Sequence, residues 1–185
     1  MSTRQSVDRE RIEQFLRKLG ERFRHPGQIY LVGGTTLVFE NFRAQSIDID
    51  LTFQVASQDH AALIQTIREL KDQLALNIEE VSPGDFIPLP AGYRDRAIFI
   101  GRFGQLDVFH FDLYSTALSK IARGTEEDFS DVIALVRAGR IEMPMLENYF
   151  HDILPRLATE SLKHDPTEFQ RKFQIVRDFV QRGNK

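Results

Sequence analysis

The spacing of apolar residues changes along the chain from helical to extended and back to helical. Two stretches in the first half repeat apolar residues every three or four positions, as amphipathic helices do. The first stripe consists of Ile12, Phe15, Leu16, Leu19 and Phe23, and the second of Ala62, Leu63, Ile67, Leu70 and Leu74. His25-Pro26-Gly27 ends the first helix, and Ser57 is the predicted N-cap of the second.

Between and after these helices, short runs of β-branched and aromatic residues predict strands. They cover residues 28–32, 46–53, 75–81 and 97–111, the last with a turn near Gly101 to Gly104. Residues 35–42 predict a short helix directly after the first strand. The run SIDIDLTF (46–53) alternates strictly, which predicts that Ile47, Ile49 and Leu51 point into the core.

From Ser115 onward the pattern is helical. Asp165 is the predicted cap of the last helix and Pro166 its first residue. The predicted buried stripe of that helix consists of Phe169, Phe173, Val176 and Val180. Strands therefore occur only in the first two-thirds, and we predict an α/β (α+β) fold. Its small mixed-sheet core spans residues 1–114, and a helical C-terminal region, residues 115–185, packs on that core.

Composition narrows the class of protein. The chain has no cysteine, which excludes disulfides, thiolate catalysis and cysteine zinc sites and fits a reducing compartment. A formal net charge of −3 does not mark the surface as a nucleic-acid or membrane binder. The N-terminus has no apolar signal core and no run is long enough to cross a bilayer, so we expect a cytoplasmic protein with no membrane partner.

Two aspartates separated by one residue are the first candidate for chemistry. On a strand Asp48 and Asp50 point to the same side, where their charges repel unless a cation lies between them. Mg²⁺ prefers oxygen ligands and suits such a pair. A solvated acidic face on an edge strand is the alternative.

The sequence Gly33-Gly34-Thr35 is the second candidate. A strand that ends in glycines and leads into a helix offers bare backbone N–H groups for phosphate oxygens, although many strand-to-helix turns use glycine for structural reasons alone.

A Walker loop is excluded because no Gly-Lys-Ser/Thr follows. An EF-hand fails because Phe53 stands where glycine is needed. A haloacid-dehalogenase-type reading of DIDLT fits poorly, since a polar segment precedes Asp48.

Gly-Gly-Thr, a spacer, and then Asp48-Ile49-Asp50-Leu51 resemble the nucleotidyltransferase superfamily that includes DNA polymerase β. The resemblance is strongest to minimal bacterial members, among them toxins of abortive-infection systems. Arg43 and Ser46 stand where such proteins often carry Arg and Thr or Ser. A second match covers residues 111–135, with Lys120, Arg123, Asp128 and Asp131 as the matching positions.

The resemblance implies transfer of a nucleoside monophosphate from a nucleoside triphosphate to a hydroxyl, with two Mg²⁺ ions. Asp48 and Asp50 would ligate the metal. Gly33, Gly34 and Thr35 would hold the β- and γ-phosphates, and Arg43 and Ser46 belong to the same expected substrate site. A third carboxylate completes such sites. Asp107, in mid-strand, is preferred slightly over Asp112, which could instead cap the following helix.

Three further residues have open readings. Lys120 is placed to reach a triphosphate, or it pairs with Asp128 or Asp131. Arg123 with those two acids is interpreted as an ion-pair cluster that holds helices together. His110 alternates with core residues and is predicted to be buried.

Two functions follow as hypotheses: an Mg²⁺-dependent nucleotidyltransferase acting on RNA, a protein or a small molecule, or a non-catalytic binding or antitoxin-like module of the same fold. The intact acidic pair favours the enzyme. The resemblance also implies a cognate toxin or antitoxin as partner. An RNA acceptor would call for a basic surface, which the last helix could supply; its candidates are Arg171, Lys172, Arg177 and Arg182.

Overall fold

A computed structural model describes residues 6–160 and 164–182, and these fall into two compact units. The first unit contains the chain up to Val81 together with Ile98–Phe111. The second contains Ser82–Ala97 and the chain from Asp112 onward. The sequence-based boundary at residue 114 is close to the second division, but the segment 82–97 belongs with the helices instead of the sheet.

The first unit is built on one mixed sheet. Its elements in chain order are α1 (Arg9–Arg22), β1 (Gly27–Leu31), α2 (Gly33–Phe39), β2 (Ile49–Val55), α3 (His60–Gln73), β3 (Ile78–Glu80), β4 (Ile98–Phe103) and β5 (Leu106–His110). The strand order is β3-β2-β1-β5-β4. β1 is antiparallel to β2 and parallel to β5, β2 is parallel to β3, and β4 is antiparallel to β5. The expected α/β class with a small mixed sheet is confirmed.

Strand alternation decides which side chains enter the core of this unit. Ile29 and Leu31 of β1, and Ile49 and Leu51 of β2, are buried together with the apolar stripe of α1 and with Leu63, Ile67 and Leu70 of α3. Ala62, also expected in the stripe of the second helix, is exposed. Ile47, expected to join them, is 80% exposed. Residues 47 and 48 form a bend between the isolated bridge from Val7 to Ser46 and the start of β2. The alternation of the strand therefore does not reach Ile47.

The two helices that cover the core face start in different ways. Asp8 caps α1 by accepting a hydrogen bond from the Arg11 backbone N–H at 2.9 Å. Ser57 does not cap α3, as the sequence pattern had predicted, because Ser57–Asp59 form a 3₁₀ turn and α3 begins only at His60.

Gly20 lets α1 approach the turn between β4 and β5. A Cβ atom on Gly20 would lie 2.4 Å from the carbonyl oxygen of Phe103, and a Cβ on Gly104 would lie 2.2 Å from the carbonyl oxygen of Gly20. Gly104 also has a φ of +62°, in the left-handed region that favours glycine. This contact between two backbones excludes any side chain at either position.

The second unit is helical, with α4 at its centre. Its helices are α4 (Leu113–Arg123), α5 (Glu126–Arg137), α6 (Met143–Glu160) and α7 (Pro166–Arg182). Nine of the eleven residues of α4 are buried. Asp165 caps α7 by accepting a bond from the Glu168 N–H at 2.9 Å, and Phe169, Phe173, Val176 and Val180 are buried as predicted.

The C-terminal end of α4 is closed by a side chain from α7. Lys172 Nζ donates to the carbonyl oxygens of Ala122 and Arg123 at 2.8 and 3.0 Å. A cation at the last carbonyls of a helix is the favourable arrangement for the helix dipole. Across residues 6–160 and 164–182, none of the helices combines the length and the apolar character that a bilayer crossing requires.

We predict that Gly20→Ala destabilises the protein by about 1–3 kcal/mol, the usual range for overpacking. The new Cβ meets backbone atoms of Phe103, which cannot rotate away, and this outweighs the better helix propensity of alanine. Urea denaturation measures the effect. Gly101→Ala in β4 is the matched control, because its Cβ would come no closer than 3.7 Å to another residue. A Gly20→Ala protein as stable as the wild type would contradict the packing argument.

Candidate active site

Sheet pairing brings three carboxylates together at one end of β2. Asp50 lies directly opposite Glu79 of β3, and Asp48 immediately precedes β2. One oxygen from each carboxylate lies within 4.8 Å of the others. Asp48 and Asp50 are half-buried, whereas Glu79 is exposed. Three hard oxygen donors at this spacing are the ligands that a divalent cation such as Mg²⁺ prefers.

Asn77 connects two of these carboxylates. Its side-chain amide donates to Asp48 Oδ1, and the same nitrogen lies 3.5 Å from Glu79 Oε1. Its backbone carbonyl accepts the Ile49 N–H at 2.8 Å, which fixes the residue to the start of β2. The amide therefore supplies a positive dipole between two negative groups.

The double glycine allows the turn after β1 to touch this acidic end. Gly33 has a φ of +57°, and a Cβ atom there would lie 3.1 Å from Asp50 Oδ2. On Gly34 a Cβ would lie 3.0 Å from Ser46 Oγ and 3.6 Å from Arg43 Nη1. Five residues singled out in the sequence therefore lie side by side: Gly33, Gly34, Arg43, Ser46 and Asp50.

Thr35 has a different role from the one the sequence predicted. Its side chain is buried, and its hydroxyl accepts the Asp50 backbone N–H at 2.7 Å and lies 3.5 Å from the Asp48 carbonyl oxygen. The hydroxyl thus ties α2 to the backbone of the acidic pair. Because these bonds occupy it, we no longer assign it to a phosphate.

The structure does not bring Asp107 to the carboxylate cluster. Asp107 pairs with Gln28 of β1, whereas the acidic end of β2 lies beyond Leu31 of β1, where the Val32 N–H donates to the Asp50 carbonyl. Arg102 donates two hydrogen bonds to Asp107, at 2.7 and 3.0 Å, and these lower the pKa of its carboxyl group. Asp107 therefore lies outside this carboxylate group, whose third member is Glu79, and the ligand that completes a metal site stays a prediction.

Asp112 is the cap of α4, the alternative that the sequence had left open. It accepts the Tyr114 and Ser115 backbone N–H groups at 3.3 and 3.2 Å, and Arg96 binds both its oxygens at 3.0 and 2.9 Å. The side chain is buried among these donors, which together occupy the hydrogen-bond acceptor positions of its two carboxylate oxygens.

Lys120 lies inside the second unit, where it pairs with two acids. Its ammonium is 2.7 Å from Asp131 Oδ2 and 3.3 Å from Asp128 Oδ1, and Arg123 also binds Asp128. Only 1% of Lys120 is exposed, so the ion-pair reading holds and we no longer assign it to a triphosphate.

His110 is buried, as predicted. Its Nδ1 lies 3.3 Å from Thr36 Oγ1 and its Nε2 lies 2.9 Å from Glu40 Oε1, so it fastens β5 to α2.

Glu79 is the site residue that sequence reasoning missed. The strand that carries it has only three residues, Ile78–Glu80, and its two successive glutamates do not show the alternation of apolar and polar residues that marks a strand. The signal that could have found it is the pairing of β3 with β2, which places Glu79 opposite Asp50.

A mixed sheet, a glycine turn against an acidic pair and a third carboxylate on the neighbouring strand agree with the nucleotidyltransferase fold that the sequence resemblance implies. The chain belongs to the family described as "Nucleotidyltransferase of unknown function (DUF6036)", which it matches over residues 9–179. No curated protein and no solved structure matches it.

The Lys120 cluster generates a prediction about acid stability. Burial alone would raise the pKa of Asp128, but the Arg123 hydrogen bond and the charges of Lys120 and Arg123 outweigh it and hold the pKa below its usual range. A carboxyl with a lowered folded-state pKa contributes stability above its unfolded-state pKa, about 4, and loses it as the pH falls through the folded value.

Asp128→Asn should therefore lower the free energy of unfolding at pH 7 by about 1–3 kcal/mol, the usual worth of hydrogen bonds to charged groups. The difference from the wild type should shrink as the pH falls below about 4. Denaturant titrations over a pH series measure it. Asp178→Asn, which removes a surface carboxylate bonded by Gln174, is the control. A difference that stays constant with pH would contradict this account.

Proposed function

We propose that this protein is an Mg²⁺-dependent nucleotidyltransferase that moves a nucleoside monophosphate from a nucleoside triphosphate to an acceptor hydroxyl. The observation that carries the proposal is the group of Asp48, Asp50 and Glu79, with one oxygen of each within 4.8 Å, beside the Gly33-Gly34 turn. A glycine turn next to a candidate cation site is the combination that a triphosphate with its metal ions would require.

The three carboxylates would hold the metal. Mg²⁺ ions, two of which are expected from the resemblance, stabilise the attacking and leaving oxygens of such a transfer when they are bound. Glu79 takes the place first assigned to Asp107. Because Glu79 is the exposed member, it is also the carboxylate that an incoming acceptor meets first.

The triphosphate would lie against the glycine turn. Gly33 and Gly34 carry no side chains of their own, and Arg43 and Ser46 border Gly34. Arg43 supplies positive charge, and Ser46 supplies a hydroxyl. The short α2 helix, with seven residues, contributes little by its dipole, so the cation must come from a side chain.

The proposed transfer forms one bond to the α-phosphorus and breaks another. The acceptor hydroxyl forms a bond to the α-phosphorus, its proton passes to a carboxylate of the group, and the bond to the β-phosphate oxygen breaks to release pyrophosphate. A carboxylate within reach of that hydroxyl is a suitable general base. Thr35 and Asn77 hold the carboxylates in place, since both bond to the Asp48–Asp50 segment or to its side chains.

The biological setting is a proposal that rests on the resemblance to abortive-infection toxins. It places the enzyme in a toxin–antitoxin or phage-defence system with a cognate partner protein. The alternative is a non-catalytic, antitoxin-like module, which was supported by the ambiguity of the third carboxylate between Asp107 and Asp112. The position of Glu79 beside Asp48 and Asp50 supports the enzyme instead.

We predict that the wild type transfers label from at least one of four α-³²P nucleoside triphosphates, with Mg²⁺, into a bacterial extract. Asp48→Asn combined with Asp50→Asn should abolish the transfer. The neutral amide of asparagine does not balance the charge of the cation and does not bind it as a carboxylate does. The fold should persist, with a thermal midpoint at or above that of the wild type, since the substitution relieves repulsion. Mg²⁺ should raise the midpoint of the wild type only. Equal transfer by both proteins would refute the site.

The assignment of the third carboxylate has its own test. Glu79→Gln should reduce transfer and weaken Mg²⁺ binding by more than about 100-fold, beyond the usual loss for an outer-shell partner. Glu80→Gln is the matched control, because the neighbouring residue lies on the opposite face of β3. Asp107→Asn should retain activity. If Asp107→Asn is inactive and Glu79→Gln active, the sequence-based assignment was right and the structural one wrong.

A further inference from the structure

The face of the sheet that carries Asp50 continues into a row of aromatic rings. In β2 this face presents Asp50, Thr52 and Gln54, because the residues between them enter the core. The register places Thr52 opposite Tyr30, Tyr30 beside Phe109, and Phe109 opposite Phe99. We call this surface the Asp50 face; its residues are Asp50, Thr52, Gln54, Gln28, Tyr30, Asp107, Phe109, Phe99 and Arg102.

The three rings form one connected set. Tyr30 and Phe109 stack, with centroids 5.4 Å apart and planes 22° apart, and Phe99 meets Phe109 edge-on at 5.4 Å. Phe99 is 58% exposed, and the other two are half-buried. The core-facing neighbours Ile29 and Val108 are 0% and 1% exposed, so the rings are not part of the core.

Beyond the rings the face turns polar. The next pairs along the strands are Gln54 with Gln28 and Asp107 with Arg102. Together with Gln105 they line an open groove of about 410 Å³. Carboxamides can both donate and accept hydrogen bonds, as the edges of nucleobases do. Arg102 is engaged by Asp107, so this end of the face carries little net charge.

The spacing of these features fits a chain of nucleotides. Successive residues on one face of a strand are about 7 Å apart, so the ring row lies about one nucleotide from the carboxylates and the amide row about two. Adjacent aromatic residues on central strands of a sheet are a known platform for unpaired bases, since every base has a face that stacks. A small acceptor would need only the first row, whereas the surface continues past it.

We propose that the Asp50 face is the acceptor-binding surface and that its occupant is the 3′ end of a single-stranded RNA. This inference rests on the proposed function. The terminal hydroxyl lies at the carboxylate cluster, a base stacks on the rings of Tyr30, Phe109 and Phe99, and the next nucleotide meets Gln28 and Gln54. Recognition depends on stacking, so it requires unpaired bases.

The experiment measures binding without turnover. Fluorescence anisotropy follows a labelled eight-nucleotide RNA titrated with the Asp48→Asn, Asp50→Asn protein, alone and with Phe99→Ala or Tyr30→Leu added. Loss of a ring should weaken binding by about 5- to 150-fold. Phe179→Ala is the control, because Phe179 is 55% exposed on α7 and not on the sheet; it should change affinity by less than about twofold. A duplex of the same sequence should compete poorly.

Each other outcome overturns the inference. These are the absence of RNA binding, equal losses for Phe99→Ala and Phe179→Ala, or equal competition by the duplex. Sedimentation that shows a dimer lost in Phe99→Ala would assign the rings to a second copy of the chain, paired through the edge strand β4. Label entering a protein at an undiminished rate in Phe99→Ala would leave the enzyme intact and remove RNA as acceptor. RNA bound through the rings without label transfer would instead refute the proposed function alone.

Discussion

Mutual repulsion of three carboxylates is the constraint around which the first unit is organised. Two unit charges about 4 Å apart repel by about 1 kcal/mol in water and by about 4 kcal/mol at the effective dielectric constant near a protein surface. Asp48, Asp50 and Glu79 are at about this spacing, held by the pairing of β2 with β3 and by the Thr35 hydroxyl. The surrounding sheet holds the carboxylates together in spite of their like charges, and a cation between them would offset the repulsion.

Two of the residues that hold this group together are neutral. Thr35 and Asn77 bond to it without adding charge. Gly33 and Gly34 contribute by having no side chain, since any side chain at these positions would press on Asp50, Ser46 or Arg43. The same turn thus packs α2 closely against β2, and in the proposed function it would also hold a phosphate. Structure and proposed chemistry make the same demand on these positions.

Much of this fold was readable in the sequence because local periodicity determines which faces are buried. The stripe of Phe169, Phe173, Val176 and Val180 and the alternation around Ile49 and Leu51 led directly to correct elements. Asp48 and Asp50 were predicted to lie side by side from the same alternation, and their oxygens do lie close together, although Asp48 stands in the bend before β2. The errors arose where a residue's environment depends on distant chain. Glu79 becomes a neighbour of Asp50 only through strand order, and Ile47 is exposed because the bridge to Val7 interrupts the strand.

The charged residues show the same limit. Asp112 directly follows β5 and Lys120 lies in α4, where the sequence allowed a polar side chain to serve a ligand. What decides their role is whether acids or cations from other helices and loops reach them, and Asp128, Asp131 and Arg96 do. Sequence separation hides these partners: the Arg96–Asp112 pair joins a proline-rich loop to a helix start, which is why residues 82–97 belong with the helical unit.

The two faces of the sheet therefore meet different physical demands. One face satisfies the core and is closed by α1 and α3, with a backbone contact at Gly20 that admits no side chain. The other face carries carboxylates, rings and amides in successive rows, and the rings remain partly open to solvent where burial would have stabilised the fold. A β-sheet aligns such rows without any additional contacts, because the register of two strands determines all of their cross-strand residue pairs together. The register that places Glu79 opposite Asp50 and the register that places Phe109 beside Tyr30 belong to one sheet. Catalysis and acceptor recognition would then depend on the same strand pairing.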